Sequence, residues 1–422
     1  MAKPASKRLC MRWPARLLIV LLVALLSLPA LIGLGRGDSA FLQNLENRRM
    51  SPLPPLSLLR ENPPQYIEAL DNFLKDRVGF RRQANALYRK MRFYLLKDPP
   101  APNISIGRDG FVFMNSHRVE EPNIVFDLLC LQQTTPKKEL VTEMDRTFAA
   151  VSHYYTRRGF PVTITLAPTN VAVYPDKLPP MVERKYRDAC RAYPQSDHLI
   201  GQLQHLGREN GRYDLYYPLE LFRAHRDEPY FYPKETWHWS GRSAFLFARD
   251  LLRHSGVVDR LIIDDPAKPG QIGDDLGMFF GFGRTIHALT YPYANFRTRR
   301  DQPAWIRELC KQGKALWRYQ TENALSNKRG LLLSNSFGIE LTPHLARGFS
   351  EFHFFNLNHL KPEEELEFFR RIVEFTRPDH IYVLFDDAGS IAAPQRLKAF
   401  LQLDRELSDS SANGEAAVKS GL

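Results

Sequence analysis

Three strand-like stretches constrain this chain more than anything else in it: the apolar, β-branched PVTITLAP (161–168), GLLLSNSFG (330–338) with its run of three leucines, and HIYVLF (380–385). A strand with one wet face alternates apolar and polar side chains. A run without alternation is a strand buried on both faces, as in a parallel sheet covered by helices. Helical patterns stand between the runs. Leu140, Met144, Phe148, Val151 and Tyr155 recur at helical spacing across 138–158 and stop at Gly159, directly before the first run. A helical stretch follows GLLLSNSFG, EFHFFNL (351–357) is strand-like, and PEEELEFFRRIVEF (362–375) opens with the proline and acids favoured in a helix's first turn. The pattern predicts an α/β domain of three layers with a mostly parallel sheet. The 422 residues, 44% of them hydrophobic, suffice for such a core and exclude a disordered chain.

The N-terminus reads differently. From Leu17 to Gly35 no side chain is charged, and this length matches the ~20 residues an α-helix needs to cross a bilayer. Lys3, Lys7, Arg8, Arg12 and Arg16 precede it, which predicts a cytoplasmic tail at 1–16, a transmembrane anchor at 17–35 and export of everything after Arg36. A cleaved signal peptide shares the basic flank, but the run exceeds the usual apolar core of one and lacks a clear A-x-A site. With Arg36, these residues supply +6 of the net charge of +11, leaving +5 for 37–422. No remaining stretch combines a dense basic stripe with interleaved aromatics, so nucleic acid is not an expected partner.

Beyond the anchor, residues 36–100 divide into a proline-rich spacer (SPLPPLSLLRENPP, 51–64) with polyproline II tendency and a helical arm across 66–96, broken at DRVGF. The segment SIGRDGFVFMN (105–115) turns at Asp109-Gly110 and leads into the main domain, expected at 101–405. The small, polar stretch after it predicts a disordered tail at 406–422. Cys10 precedes the anchor. Cys130, Cys190 and Cys310 would meet an oxidising compartment, where any two of them can pair. No CxxC or HExxH spacing occurs, and neither a metal site nor a cofactor is expected.

Two places carry chemistry. Ser336 follows a buried strand and precedes Phe337-Gly338, which sets a hydroxyl at the carboxyl edge of an open α/β sheet, where ligands bind. The plainer reading makes Ser334 or Ser336 a helix cap. In KETWHWSGRSAFLFARDLL (234–252), Ser240 can cap a helix and His238 stands just ahead of it, either as a titrating group or as a loop histidine packed between Trp237 and Trp239. Together, a serine, a histidine and a nearby carboxylate such as Glu235 are the parts of an acyl-transfer site.

Several further pieces fall in a recognisable order: NRRMSPLPPL (47–56), FLKDRVGFR (73–81), ISIGRDGFVF (104–113), LAPTNVAVYPDKLP (166–179), TWHWSGRSA (236–244), IGDDLGMFF (272–280) and LLLSNSFGIELTPHL (331–345). In these the sequence resembles the alginate O-acetyltransferase family of SGNH-hydrolase-like proteins, over roughly residues 42–400. The resemblance implies a periplasmic O-acetyltransferase on a single-pass inner-membrane anchor that acetylates an exopolysaccharide. It implies Ser336 as nucleophile and His238 as base. It also implies a multi-spanning membrane acyltransferase as acetyl donor, because one span cannot carry an activated acetyl group across a bilayer. The family's aspartate two residues before the histidine is Thr236 here, so Glu235 is the expected acid, with Asp386 or Asp387 as alternatives. The residue before the nucleophile, commonly aspartate, is Asn335, and a basic position in the PTN block is Asn170. These departures support an alternative: a catalytically degenerate subunit that binds polysaccharide or scaffolds an export complex, with the aromatic run 279–296 stacking on sugars or packing. A plain esterase acting on acetylated glycans would use the same residues.

Overall fold

The structure is a computed structural model, and the residues it describes are 17–24, 27, 51–76, 81–99, 101–116, 121, 123–195, 197–258, 267–277, 284–291, 298–302, 304–305 and 316–420. The chain divides into two units, Met1–Asp98 with Phe280–Phe282, and Pro99–Phe279 with Gly283–Leu422.

In the first unit, residues 17–24 are helical and exposed. The expected tail at 1–16 and the rest of the expected anchor, residue 27 excepted, lie outside the described residues. Among the described residues no helix is long and apolar enough to cross a membrane. Helices α1 (Leu56–Glu61), α2 (Pro63–Asp76) and α3 (Arg81–Lys90) follow, and α3 runs into a π-helical turn, Met91–Leu95. The segment 51–64, expected to be extended, is therefore largely helical. Its prolines are placed where helices accept them: Pro55 is extended just before α1, and Pro63 opens α2, where a missing N–H forfeits no bond.

In the second unit a hairpin of β1 (Ile104–Ile106) and β2 (Val112–Met114) turns at Asp109-Gly110, both with positive φ. Then come α4 (Lys138–Arg157), β3 (Val162–Ala167), α5 (Pro180–Ala192), α6 (Leu199–Glu209), β4 (Asp214–Tyr216) and α7 (Arg242–His254). A second hairpin, β5 (Lys268–Gly273) and β6 (Thr285–Thr290), precedes β7 (Thr298–Asp301), β8 (Leu316–Thr321) and β9 (Arg329–Ser334). The chain closes with α8 (Gly338–Leu345), β10 (Glu351–Asn356), α9 (Glu365–Thr376), β11 (His380–Asp386) and α10 (Ala399–Ser420). The main sheet has the order β4-β3-β11-β9-β10-β8-β7. Neighbours from β4 to β10 are parallel, whereas β8 and β7 add antiparallel pairs at one edge.

The apolar runs explain this sheet. Every residue of β3 and β11 is buried, and Leu331, Leu332 and Leu333 of β9 are fully so. Successive side chains of a strand point to opposite faces, so both faces are covered. Helices α4, α6, α9 and α10 pack as one group and α7 with α8 as another, and β9 meets α8 from one and α9 from the other. Three layers result. Residues 406–420, expected as a disordered tail, continue α10. Phe400 anchors that helix against Tyr154, Tyr155 and Phe369, and once packing has nucleated a helix, its extension is cheap.

A disulfide joins Cys130, in the π-helical turn Leu128–Gln132, to Cys190 of α5. It resolves the open pairing, and Cys310 lies outside the described residues. The bond closes a loop of sequence separation 60. Replacing both cysteines by serine is expected to lower unfolding free energy by ~2–4 kcal/mol, read from denaturant midpoints, with the far-UV spectrum retained.

Candidate active site

Strands β3 and β11 end level with one another, Asp386 opposite Ala167, and β9 ends two residues short of them, with Ser334 opposite Leu384. Ser336 stands in the turn between β9 and α8, half-buried. Backbone bonds fix that turn: Asn335 N–H donates to Leu384 O (3.2 Å), Gly338 N–H to Asn335 O (3.2 Å), and Phe337 N–H to Asn335 Oδ1 (3.1 Å). Only glycine fits at 338, because a Cβ there would sit 2.5 Å from Ser334 Oγ and 2.7 Å from the Phe354 ring. Neither Ser334 nor Ser336 caps α8.

His238 arrives from the loop ahead of α7. The flanking Trp237 and Trp239 are both buried. Trp239 Nε1–H donates to Phe337 O at 2.9 Å, which ties the histidine segment to the serine turn. The Phe337 ring stands 4.8 Å from the imidazole and edge-on to both tryptophans. The two functional groups meet as a result: His238 Nε2 and Ser336 Oγ are 2.8 Å apart. His238 is flanked by packed tryptophans and keeps about a quarter of its side chain exposed. Ser240 does not cap α7. Gly241 occupies that position at φ 54°, where an added Cβ would strike Leu289 O.

The carboxylate on the other imidazole nitrogen is Asp275, not Glu235. Asp275 Oδ2 lies 2.6 Å from His238 Nδ1 and accepts the His238 N–H at 2.7 Å, while the Trp237 N–H reaches both its oxygens at 3.2 Å. Glu235 turns away to Arg284 (3.0 Å), whose Nε donates to Asp274 Oδ2 at 2.6 Å. Asp274 and Arg284 are almost wholly buried, and Asp274 also accepts the Leu276 N–H. The pair clamps the turn 273–277 between β5 and β6, so that Asp275 points at the histidine. The signal was in the sequence: two acids between Gly273 and Gly277, followed by Arg284. What sequence spacing lacked was the approach of a hairpin 37 residues downstream of the histidine.

The other departures have their own partners. Thr236, buried, donates to His238 O (2.8 Å). Asn335 Nδ2–H donates to Asp386 Oδ2 (2.6 Å). Asn170, fully buried, spends its amide on Val112 O and Thr236 O, bracing the β2 end against the histidine loop. The Ser336 N–H has no acceptor among the described residues, which leaves it available to a ligand oxygen.

The sequence matches no protein-family model and no curated protein. Among solved structures it is similar to the O-acetyltransferase domain of Pseudomonas putida AlgJ, at 12% identity over 72% of this chain and 100% of that one, with a TM-score of 0.42. It is similar to Bacillus cereus PatB1 at 14% identity over 59% and 91%, TM-score 0.41, and to Pseudomonas aeruginosa AlgX at 14% over 69% and 65%, TM-score 0.37.

Asp387, next to the acid that holds Asn335, is fully buried. Burial and the Asp386 charge push its carboxyl up to about 7, against the Thr169 N–H and Tyr217 hydroxyl that donate to it. The folded state then keeps a proton that the unfolded state has released. Stability is therefore expected to be full below the ordinary carboxylate range and to fall as pH rises toward 7, levelling off above it. Unfolding midpoints measured from pH 4 to 8 should show this slope in the wild type and lose it in Asp387→Asn.

Proposed function

We propose that this chain is a membrane-anchored, periplasmic O-acetyltransferase that moves an acetyl group through Ser336 to a sugar hydroxyl of an exopolysaccharide. The observation that carries the reading is the continuous relay from Ser336 Oγ through both nitrogens of His238 to Asp275. In it, His238 Nε2 takes the Ser336 proton as Oγ attacks the acetyl carbonyl. The Nδ1–H donates to Asp275, which fixes the tautomer and stabilises the imidazolium that forms. The Ser336 N–H faces the developing oxyanion. Collapse of the tetrahedral intermediate releases the donor's leaving group with the proton from His238, leaving acetyl on Ser336. A sugar hydroxyl then gives its proton to His238 and attacks, and collapse returns the proton to Ser336.

Placement and partners belong to the same reading. The basic flank and the uncharged run 17–35 support an inner-membrane anchor, and the Cys130–Cys190 disulfide suits an oxidising compartment. A multi-spanning membrane acyltransferase would deliver the acetyl group. The scaffold reading rests on the departures at Thr236, Asn335 and Asn170 and on the aromatic run 279–296; Asp275 beside His238 speaks against the first of these. An esterase would share the relay and differ only in the acceptor.

Ser336→Ala and His238→Ala are each expected to lower hydrolysis of 4-nitrophenyl acetate by about four to six orders of magnitude, and Asp275→Asn by about 10⁴-fold. Glu235→Gln should stay within about fivefold, because a part-exposed ion pair contributes at most ~1 kcal/mol. Loss of a serine-directed probe adduct in Ser336→Ala should accompany the kinetic loss. Wild-type protein that neither hydrolyses the ester nor takes the probe would sink the enzyme reading.

A reporter active only outside the cytoplasm, fused after residue 422, should be active, with residues 1–36 retained in the mature protein. An N-terminus found near Asp38 would replace the anchor by a cleaved signal.

A further inference from the structure

The first unit wears its apolar side chains outside. Among the described residues, eleven large apolar side chains between Leu53 and Leu96 are exposed, against four in the whole second unit. No residue of α1 or α2 is buried. The sharpest case is α3 with the π-helical turn that continues it. Leu87, Tyr88, Met91, Tyr94 and Leu95 stand at i, i+1, i+4, i+7 and i+8, which makes one stripe along the helix, and each is between 49% and 70% exposed. Phe93, two residues from Met91 and so on the other side, is the buried residue of the turn. A helix on a water-soluble domain turns such a stripe toward the core. This one is anchored from the opposite side and leaves the stripe out.

The same stretch is basic. Residues 81–97 contain Arg81, Arg82, Arg89, Lys90, Arg92 and Lys97 and no acid, a charge of +6, whereas all of 37–422 sums to +5, so the rest of that span is close to neutral. Asp98, just beyond, accepts from Arg92 Nε at 2.9 Å. An apolar stripe with a concentrated positive charge is the composition of a helix that lies in the plane of an anionic lipid surface. An apolar protein groove would accept the stripe and leave six like charges in seventeen residues unexplained; a headgroup layer accounts for both. Forty-five residues, 36–80, separate the expected anchor from α3, which keeps the arm within reach of the same bilayer.

We propose that α3 and its π-helical turn lie in the headgroup layer of an anionic bilayer. Leu87, Tyr88, Met91, Tyr94 and Leu95 enter the acyl boundary while the basic side chains meet lipid phosphates. The presence of a bilayer beside the arm rests on the membrane anchor of the proposed function; the surface itself rests on the stripe and its charge.

The test uses the full chain with Cys10→Ser and Cys310→Ser and the disulfide kept. An environment-sensitive fluorophore is attached at Leu87→Cys, on the stripe, or at Asn85→Cys, off it. The chain is mixed with nanodiscs of phosphatidylcholine, with or without phosphatidylglycerol, whose acyl chains are brominated. In discs with phosphatidylglycerol the label at 87 should shift to the blue and lose most of its emission, and the label at 85 much less. Both effects should shrink as salt rises or phosphatidylglycerol is omitted. M91E/L95E should restore most of the emission at 87 and leave the melting temperature and Ser336-dependent ester hydrolysis unchanged, since both side chains are exposed. The proposal is overturned by no quenching at 87, by equal quenching at 85, by quenching as strong without phosphatidylglycerol, or by quenching that M91E/L95E leaves intact. A blue shift without quenching marks a protein contact on the stripe and overturns it too. Co-elution with the discs reports the anchor separately. A chain that stays with the discs but is not quenched keeps the anchor and loses this surface, whereas a quenched chain that M91E/L95E releases from the discs keeps the surface and loses the anchor.

Discussion

The parallel insertion of β11 between β3 and β9 is the constraint on which the candidate site depends. These strands come from distant parts of the chain, and β11 pairs in register with both neighbours. A slip of one residue would turn every side chain of β11 to the other face. Alternation at its end serves the site directly. Asp386 reaches toward β9 and accepts from the Asn335 amide, while Asp387 reaches toward β3 and accepts from the Thr169 N–H. One strand end thus staples the serine turn and the turn after β3 at a common level.

His238 and Asp275 come from outside the sheet, and a different force places them. Trp239 and Phe337 pack ring against ring and share a hydrogen bond, so burying these aromatics also brings His238 to Ser336. Asp275 is set by the buried Asp274–Arg284 pair. Such a pair adds little net stability once desolvation is counted, but its geometry is exacting. That exactness is what a proton relay needs, because displacement by about 1 Å costs a large part of the rate.

Legibility in the sequence follows the same division. The buried strands β3, β9 and β11 and the helix α4 were readable because two-sided burial and helical spacing are local patterns. Ser336 and His238 were readable as residue types at strand and helix ends, and the resemblance singled them out. Asp275 was not assigned, because its contact is made by folding a hairpin back onto the histidine loop. Glu235 is close in sequence but its carboxylate is directed to Arg284. The reach of α10 was missed because its packing through Phe400 is tertiary, while the composition beyond residue 405 resembles that of a tail. The helical character of 51–64 depends on where its prolines stand, Pro55 before α1 and Pro63 at the start of α2, and not on how many there are.

The relay does not by itself distinguish transfer from hydrolysis. Ser336 is half-buried, and His238 and Asp275 each keep roughly a fifth to a quarter of their side chains exposed, so water reaches this edge of the sheet. On the proposed mechanism, an acetyl group on Ser336 would be consumed by whichever hydroxyl is oriented and concentrated at the imidazole. Water is present at all times, and a sugar hydroxyl prevails only if its chain is held by further contacts that raise its effective concentration. Acid–base geometry therefore sets the rate of both reactions alike, and retention of the acceptor sets their ratio.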